Sequence, residues 1–358
     1  MAVERQRLEE AGLPAGAIRT IQSARKPSTI RTYEPKWQAF SKWCEGKTDP
    51  TIAPMELVLT YLQILVDRQL AYDTVRSYGN AITAFHRGFP GGVTVMTHHW
   101  GRSFFRGLLR SRPATRRSAP AWDLPLVLNA LCEAPFEPLE QADIAHLSKK
   151  TAFLIAITSG KRVSDMIALS TQPGCLVLTG DKSKAVLRPN PTLHPKMVRK
   201  GRKVSNLTLE AFYPNPVGPE AVRLHGLCPV RALDEYLRRT EGVRTTDQLF
   251  VAYGGASPGK ALTKARLAHW MVDVICEAYE RAGLPTPSVK AHSTRGTATS
   301  MALLRGVTVE EICDSADWRS ENVFISHYLR DVRNGMASAV LSAAEERPGT
   351  SAQGQASD

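Results

Sequence analysis

Apolar side chains at Tyr33, Trp37, Phe40 and Cys44 recur every three or four positions, on one face of a helix that Gly46 can close. A second run, MELVLTYLQILVDRQ, follows Pro54, a residue suited to a first helical turn. DTVRSYGNAITAFHRG and THHWGRSFFRGLLRS repeat the period, so residues 23–111 predict a module of four or five helices. Ahead of it, residues 1–22 carry Gly12, Pro14 and Gly16 and predict a flexible N-terminal arm.

The periodicity breaks at SRPATRRSAPAWDLP, where three prolines and Arg112, Arg116 and Arg117 predict a basic linker over 112–125. A second domain then spans 126–344. It opens with an apolar helix, TAFLIAITSG, and continues into KRVSDMIALS. Alternating stretches in CLVLTG, KAVLRPN and VSNLTLEAF predict a small antiparallel sheet. CPVRALDEYLRRT returns to a helical period. A capped helix follows from Thr263 through Leu267, Met271, Val274 and Ala278 and stops at Gly283. Thr308 and Glu311 have capping-box spacing, and Ser320 can cap the segment bearing Tyr328. Residues 345–358 lack large apolar side chains and predict a disordered tail. The fold class expected is therefore mainly α with a small antiparallel β-sheet, α+β.

Charge sharpens this division. Residues 1–120 hold 18 Lys and Arg against 9 Asp and Glu, whereas 121–358 hold 28 against 25. The excess sits in the helical module, as expected of a surface that grips a phosphate backbone, although a merely basic solvated face has the same composition. Six scattered cysteines form no CxxC pair and no close grouping with histidine, which disfavours zinc and a disulfide scaffold. The first residues have no apolar signal-like core, and no stretch approaches the length of a membrane span. A reducing intracellular compartment is the expectation.

Four stretches concentrate the chemistry: Lys161 and Arg162 in SGKRVSDM, His292 and Arg295 in AHSTRG, Trp318 in ADWRS, and Tyr328 in ISHYLRD. Guanidinium forks bind the non-bridging oxygens of a phosphodiester bidentately, and Asp165 is placed to hold Arg162. His292 and Arg295 can share one face near a helix start that Ser293 or Thr294 would cap. A phenol is a poor nucleophile at neutral pH unless a base and positive charge stand beside it, which His292 and the arginines would supply. Trp318 can donate its indole N–H to a phosphate oxygen. The departing strand needs a proton, for which Lys196 in HPKMVRKGRK is the first candidate, with Lys200 behind it. Taken singly, each residue has an ordinary alternative: surface arginine, structural histidine, core tryptophan, amphipathic tyrosine, backbone-contacting lysines.

In that order, Arg, Lys, His-x-x-Arg, Trp and Tyr resemble the tyrosine recombinase, or phage integrase, family across roughly residues 25–340. SGKRVSDMIAL is similar to the motif of its first arginine, with Lys161 in place of the usual apolar residue. LCPVRALDEYLRRT, QLFVAYGG and ADWRSENVFISHYLRD look most like the eukaryotic transposon-borne DIRS, Ngaro and Crypton branch. The resemblance implies a helical core-binding domain and a catalytic domain closing on duplex DNA. It also implies a 3′-phosphotyrosyl link to Tyr328, no cofactor and no metal. A dimer on each site and a tetramer on two sites would follow, with a nuclear location if the host is eukaryotic. Arg76, Arg106, Arg112, Arg116, Arg117 and Lys200 are the candidate DNA contacts. Two other readings stay open: a recombinase-derived DNA-binding protein that no longer cuts, and a type IB topoisomerase.

Overall fold

The computed structural model describes residues 2–112, 122–191, 206–255, 257–318, 320–327 and 329. The chain divides into two compact units, Met1–Arg117 and Ser118–Asp358.

Among the described residues the first unit contains α1 (Ala2–Glu10), α2 (Ala15–Ser23), α3 (Pro27–Cys44), α4 (Met55–Asp67), α5 (Tyr72–Phe85) and α6 (His99–Ser111). Its core is the predicted stripe of α3, Trp37, Phe40 and Cys44, packed with Val58, Leu62 and Leu65 of α4, Ile82 and Phe85 of α5, and Phe105 of α6. Residues 1–22 are a correction to the expected arm. Glu4 and Ile18 are buried, and Arg25 reaches Glu4 at 2.6 Å and the Ala84 carbonyl at 3.3 Å. Helix α1 is thus tied to the end of α5 largely through polar groups, while α2 buries Ile18. A 3.6-residue apolar stripe, the signal used to find helices, is not what holds α1.

The ends of the expected linker also belong to the units beside them. Arg112 donates to the Val66 carbonyl at 2.8 Å, within the first unit. Trp122 and Leu124 are buried in the core of the second. Asp123 caps α7 (Leu124–Leu131), which therefore starts before residue 126. The intervening Arg116 and Arg117 lie outside the described residues.

The second unit is built on α8 (Ile144–Ser159), which starts about two turns before the predicted TAFLIAITSG because Asp143 caps it at 2.7 Å. It is buried on nearly every side. Then come α9 (Val163–Met166), β1 (Leu176–Leu178), β2 (Lys184–Leu187), β3 (Leu207–Glu210), α10 (Pro219–His225) and α11 (Pro229–Thr240). The chain ends its described part with α12 (Lys264–Arg281), α13 (His292–Leu304), α14 (Val309–Ser315) and α15 (Glu321–His327). The strands form one antiparallel sheet in the order β1-β2-β3, pairing Leu176 with Leu187 and Lys184 with Glu210. Around α8 pack α11, α12 and α13. Mostly helix with a three-stranded antiparallel sheet, this is the class that the hydrophobic pattern predicts.

A polar anchor fixes α8 within this core. Fully buried Lys150 pairs with Glu137 and donates to the Leu131 carbonyl at 2.8 Å, while Arg231 of α11 binds Glu137 at 2.9 Å. Burial alone pushes the Glu137 carboxyl up, but the bonds from Arg231 and the charge of Lys150 outweigh it and leave the group below its ordinary range. Buried charges persist where every partner is supplied, as here. Among the described residues no helix is long and apolar enough to cross a membrane.

Candidate active site

The site grows from the C-terminal end of α8. Gly160 ends that helix in the left-handed conformation, at φ 58°, and its N–H donates to the Ala156 carbonyl. A Cβ there would stand 3.2 Å from Thr299 of α13 and 3.4 Å from Ala316 after α14. Glycine therefore serves both the turn and the close approach of three elements. Ser315 adds a hydrogen bond to the Ser159 carbonyl at 3.1 Å.

Directly after this turn stand Lys161 and Arg162. Arg162 flanks the start of α9, and the Asp165 carboxylate accepts from its backbone N–H at 3.2 Å while lying 3.7 Å from its guanidinium. Asp165 thus holds both the main chain and the side chain, and the Arg162 side chain remains 30% exposed. Lys161 turns inward instead: it is 8% exposed and its ammonium pairs with Asp317.

The His-x-x-Arg pair lies on α13. His292 is the first residue of the helix and is exposed, with Arg295 one turn later and 1% exposed. The expected cap is corrected. Ser293 and Thr294 lie inside the helix, Thr294 donates to the Ala291 carbonyl at 2.7 Å, and Ser293 accepts from the Trp122 indole at 3.0 Å. Helical backbone begins before these hydroxyls because Ala291 itself has right-handed helical angles.

Arg295 donates to the Ala316 carbonyl and its guanidinium carbon lies 4.6 Å from the Trp318 ring centre. On Trp318 the Phe324 ring of α15 stacks, with centroids 5.1 Å apart. The tryptophan thus forms a floor under the arginine, a cation–π arrangement that also orients the guanidinium plane. Ile312, Cys313 and Ala316 complete the small apolar cluster around Trp318. Burial raises the Cys313 thiol, with the charges of Glu321 and Asp314 adding to it. That thiol is therefore protonated at neutral pH and a poor rival nucleophile.

The structure accordingly brings Arg295 against Trp318, and ties the neighbours of Arg162 and Trp318 to each other through Lys161 and Asp317. Tyr328, Lys196 and Lys200 lie outside the described residues. Arg188 and Asn206, which flank the segment holding the two lysines, meet at 3.2 Å. Asn206 also lines a pocket of about 280 Å³ together with Ser159, Lys161, Asp314 and Ser315. Arg76 and Arg106 are exposed on α5 and α6 of the first unit. Sequence reading missed the partner of Lys161; its one signal was a charged residue immediately before Arg162 matched by another immediately before Trp318.

No protein-family model matches the chain, and no curated protein matches it. Solved structures do. The Tn1549 transposon integrase in complex with transposon right end DNA shares 12% identity over 93% of this chain and 97% of its own, with a TM-score of 0.58. The same integrase with a circular intermediate DNA shares 11% over 92% and 97%, with a TM-score of 0.53. XerH site-specific recombinase bound to palindromic difH substrate shares 14% over 88% and 80%, with a TM-score of 0.55. The mostly helical architecture with its three-stranded antiparallel sheet matches the tyrosine recombinase catalytic fold.

Proposed function

We propose that this chain is a site-specific DNA recombinase that cleaves and rejoins strands through Tyr328, serving integration or excision of a mobile element. The observation that carries this reading is the stack of Arg295 on Trp318, joined to the Arg162 turn through Lys161 and Asp317. Arg295 meets Trp318, and the residue before Arg162 pairs with the residue before Trp318, in a fold similar to that of recombinases solved on DNA.

In the proposed reaction the Tyr328 phenol oxygen attacks the scissile phosphorus as His292 takes the phenolic proton. A phosphotyrosyl bond forms and the bond to the 5′ oxygen breaks, with that oxygen taking a proton from Lys196. Arg162 and Arg295 neutralise the non-bridging oxygens as charge develops, and the Trp318 N–H can add a further donor. The covalent link stores the phosphodiester bond, so a 5′ hydroxyl from a partner strand can reverse the step without ATP. Duplex DNA is the substrate, gripped through Arg76, Arg106, Arg112, Arg116, Arg117 and Lys200. A dimer per site and a tetramer on two sites suit strand exchange. The motif phrasing supports the DIRS, Ngaro and Crypton branch, and with it a nuclear location in a eukaryotic host.

Incubation with a pool of nicked, randomised duplexes tests the proposal. Wild-type protein should form covalent adducts on a selectable subset, and Tyr328→Phe should form none. Adducts that persist in the phenylalanine variant would remove Tyr328 from the reaction. Plasmid relaxation by a monomer that never joins two sites would favour the topoisomerase reading instead.

A further inference from the structure

Asp317 occupies a position that is unfavourable for an aspartate on two counts. It follows the last residues of α14 with φ 52°, a left-handed conformation that costs an L-residue and is usually left to glycine. The hydrogen bonds around it define the turn: the Trp318 N–H reaches the Cys313 carbonyl at 2.9 Å and the Asp317 N–H reaches that of Asp314 at 3.3 Å. Its carboxylate also sits at a helix C-terminus, the end that prefers cations. On the other side, Lys161 keeps its ammonium almost out of water, which a lysine seldom does unless paired. Each residue is costly where it stands, and each supplies what the other needs.

We propose that the Lys161–Asp317 ion pair is a positioning latch that sets the Arg162 turn in register with the Trp318–Arg295 stack. The inference rests on the recombinase reading and deepens it. Lys161 directly precedes Arg162 and Asp317 directly precedes Trp318, so one contact fixes the main chain of both phosphate-binding segments. Arg295 is bound to the same turn through the carbonyl of Ala316, the residue before Asp317. A shift of that turn moves Trp318 and Arg295 together relative to Arg162. Neither latch residue needs to touch the phosphate; both act on the groups that do.

Lys161 is buried while the Asp317 side chain is 31% exposed, so an unpaired charge costs most at the lysine, and that dictates the test. Removing one partner strands a charge, whereas replacing both with groups of suitable shape is often nearly neutral. Adduct formation is measured on nicked duplexes selected from the randomised pool by the wild-type chain, at saturating DNA, alongside duplex affinity and thermal melting. Lys161→Met and Asp317→Gly should each slow adduct formation about 10- to 100-fold, the scale of a misplaced reacting group, with duplex affinity unchanged. Glycine is the natural occupant of the turn, so Asp317→Gly keeps the backbone. The double variant, Lys161→Met with Asp317→Gly, should recover most of the wild-type rate. Multiplicative losses in the double variant, or a wild-type rate in either single variant, overturn the latch. Should Lys161→Met fail to fold, Asp317→Asn decides, because it tolerates the turn and removes only the charge: a wild-type rate there also overturns it. Absence of adducts with the wild-type chain refutes the recombinase reading itself.

Discussion

Arg295 shows how the fold holds a single guanidinium in place. At 1% exposure it is held by the Ala316 carbonyl on one side and the Trp318 ring on the other. Both contacts exploit the planar guanidinium, which a lysine lacks. Arg295→Lys should therefore lower adduct formation by about 100-fold or more, as loss of a preorganised donor at a developing charge does. Measured at saturating DNA, a rate equal to wild type would mean that positive charge alone suffices. Arg162 is held differently, through a half-buried, long ion pair with Asp165 at 3.7 Å, and pairs that water still reaches contribute about 1 kcal/mol or less. Asp165→Asn is thus the milder change at this scale, and its effect on Arg162 runs mainly through the backbone bond that asparagine can keep.

Among the elements, α8 sets the geometry. Its C-terminal turn presents Lys161 and Arg162, while Lys150, two turns earlier, locks it to Glu137 and through Glu137 to Arg231 of α11. The fold holds the Glu137 carboxyl below its ordinary range, so its contribution to stability is complete above that range. As pH falls from there through the lowered value, protonation dissolves the ion pair and the contribution is lost. Thermal melting from neutral pH into the acid range should show a steeper decline in wild type than in Glu137→Gln. The variant starts from lower stability at pH 7, because Lys150 and Arg231 keep their charges and lose their partner. Equal acid slopes in the two proteins would remove Glu137 from the acid response.

On the scale of the whole molecule, charge is unevenly distributed. The first 120 residues carry an excess of nine basic groups, and Arg76 and Arg106 of the first unit are exposed on adjacent helices in sequence, α5 and α6. If they contact the DNA backbone, Arg76→Ala and Arg106→Ala should each weaken binding across all duplex sequences. Each should also reduce the slope of log affinity against log salt by about 0.9. Titrations at several salt concentrations measure this, and an unchanged slope would take that arginine off the backbone. Arg112 is expected to contribute less, since one of its nitrogens is committed to the Val66 carbonyl at the end of α4.

Local physics was readable in the linear chain. The stripe Trp37, Phe40, Cys44 defined α3, Thr263 and the Thr308–Glu311 box marked helix starts, and alternation in KAVLRPN and VSNLTLEAF marked strands. Each of these signals acts within a few residues, through periodicity or a hydrogen bond to a neighbouring turn. The order of Arg162, His292, Arg295, Trp318 and Tyr328 was equally visible, because residue types announce their chemistry. Contacts across the chain were not. Helix α1 is held by Arg25 on Glu4 rather than by an apolar stripe, and Ser293 serves Trp122 instead of capping α13. Lys161 and Asp317 are separated by 156 positions, and their matched places before Arg162 and Trp318 were the one hint of a pair. Their pairing exists only once α8, α13 and α14 converge around Gly160, since an ion pair depends on distance in space and on exclusion of water. The sequence could name candidate groups by their chemistry; packing alone could say what holds them in place.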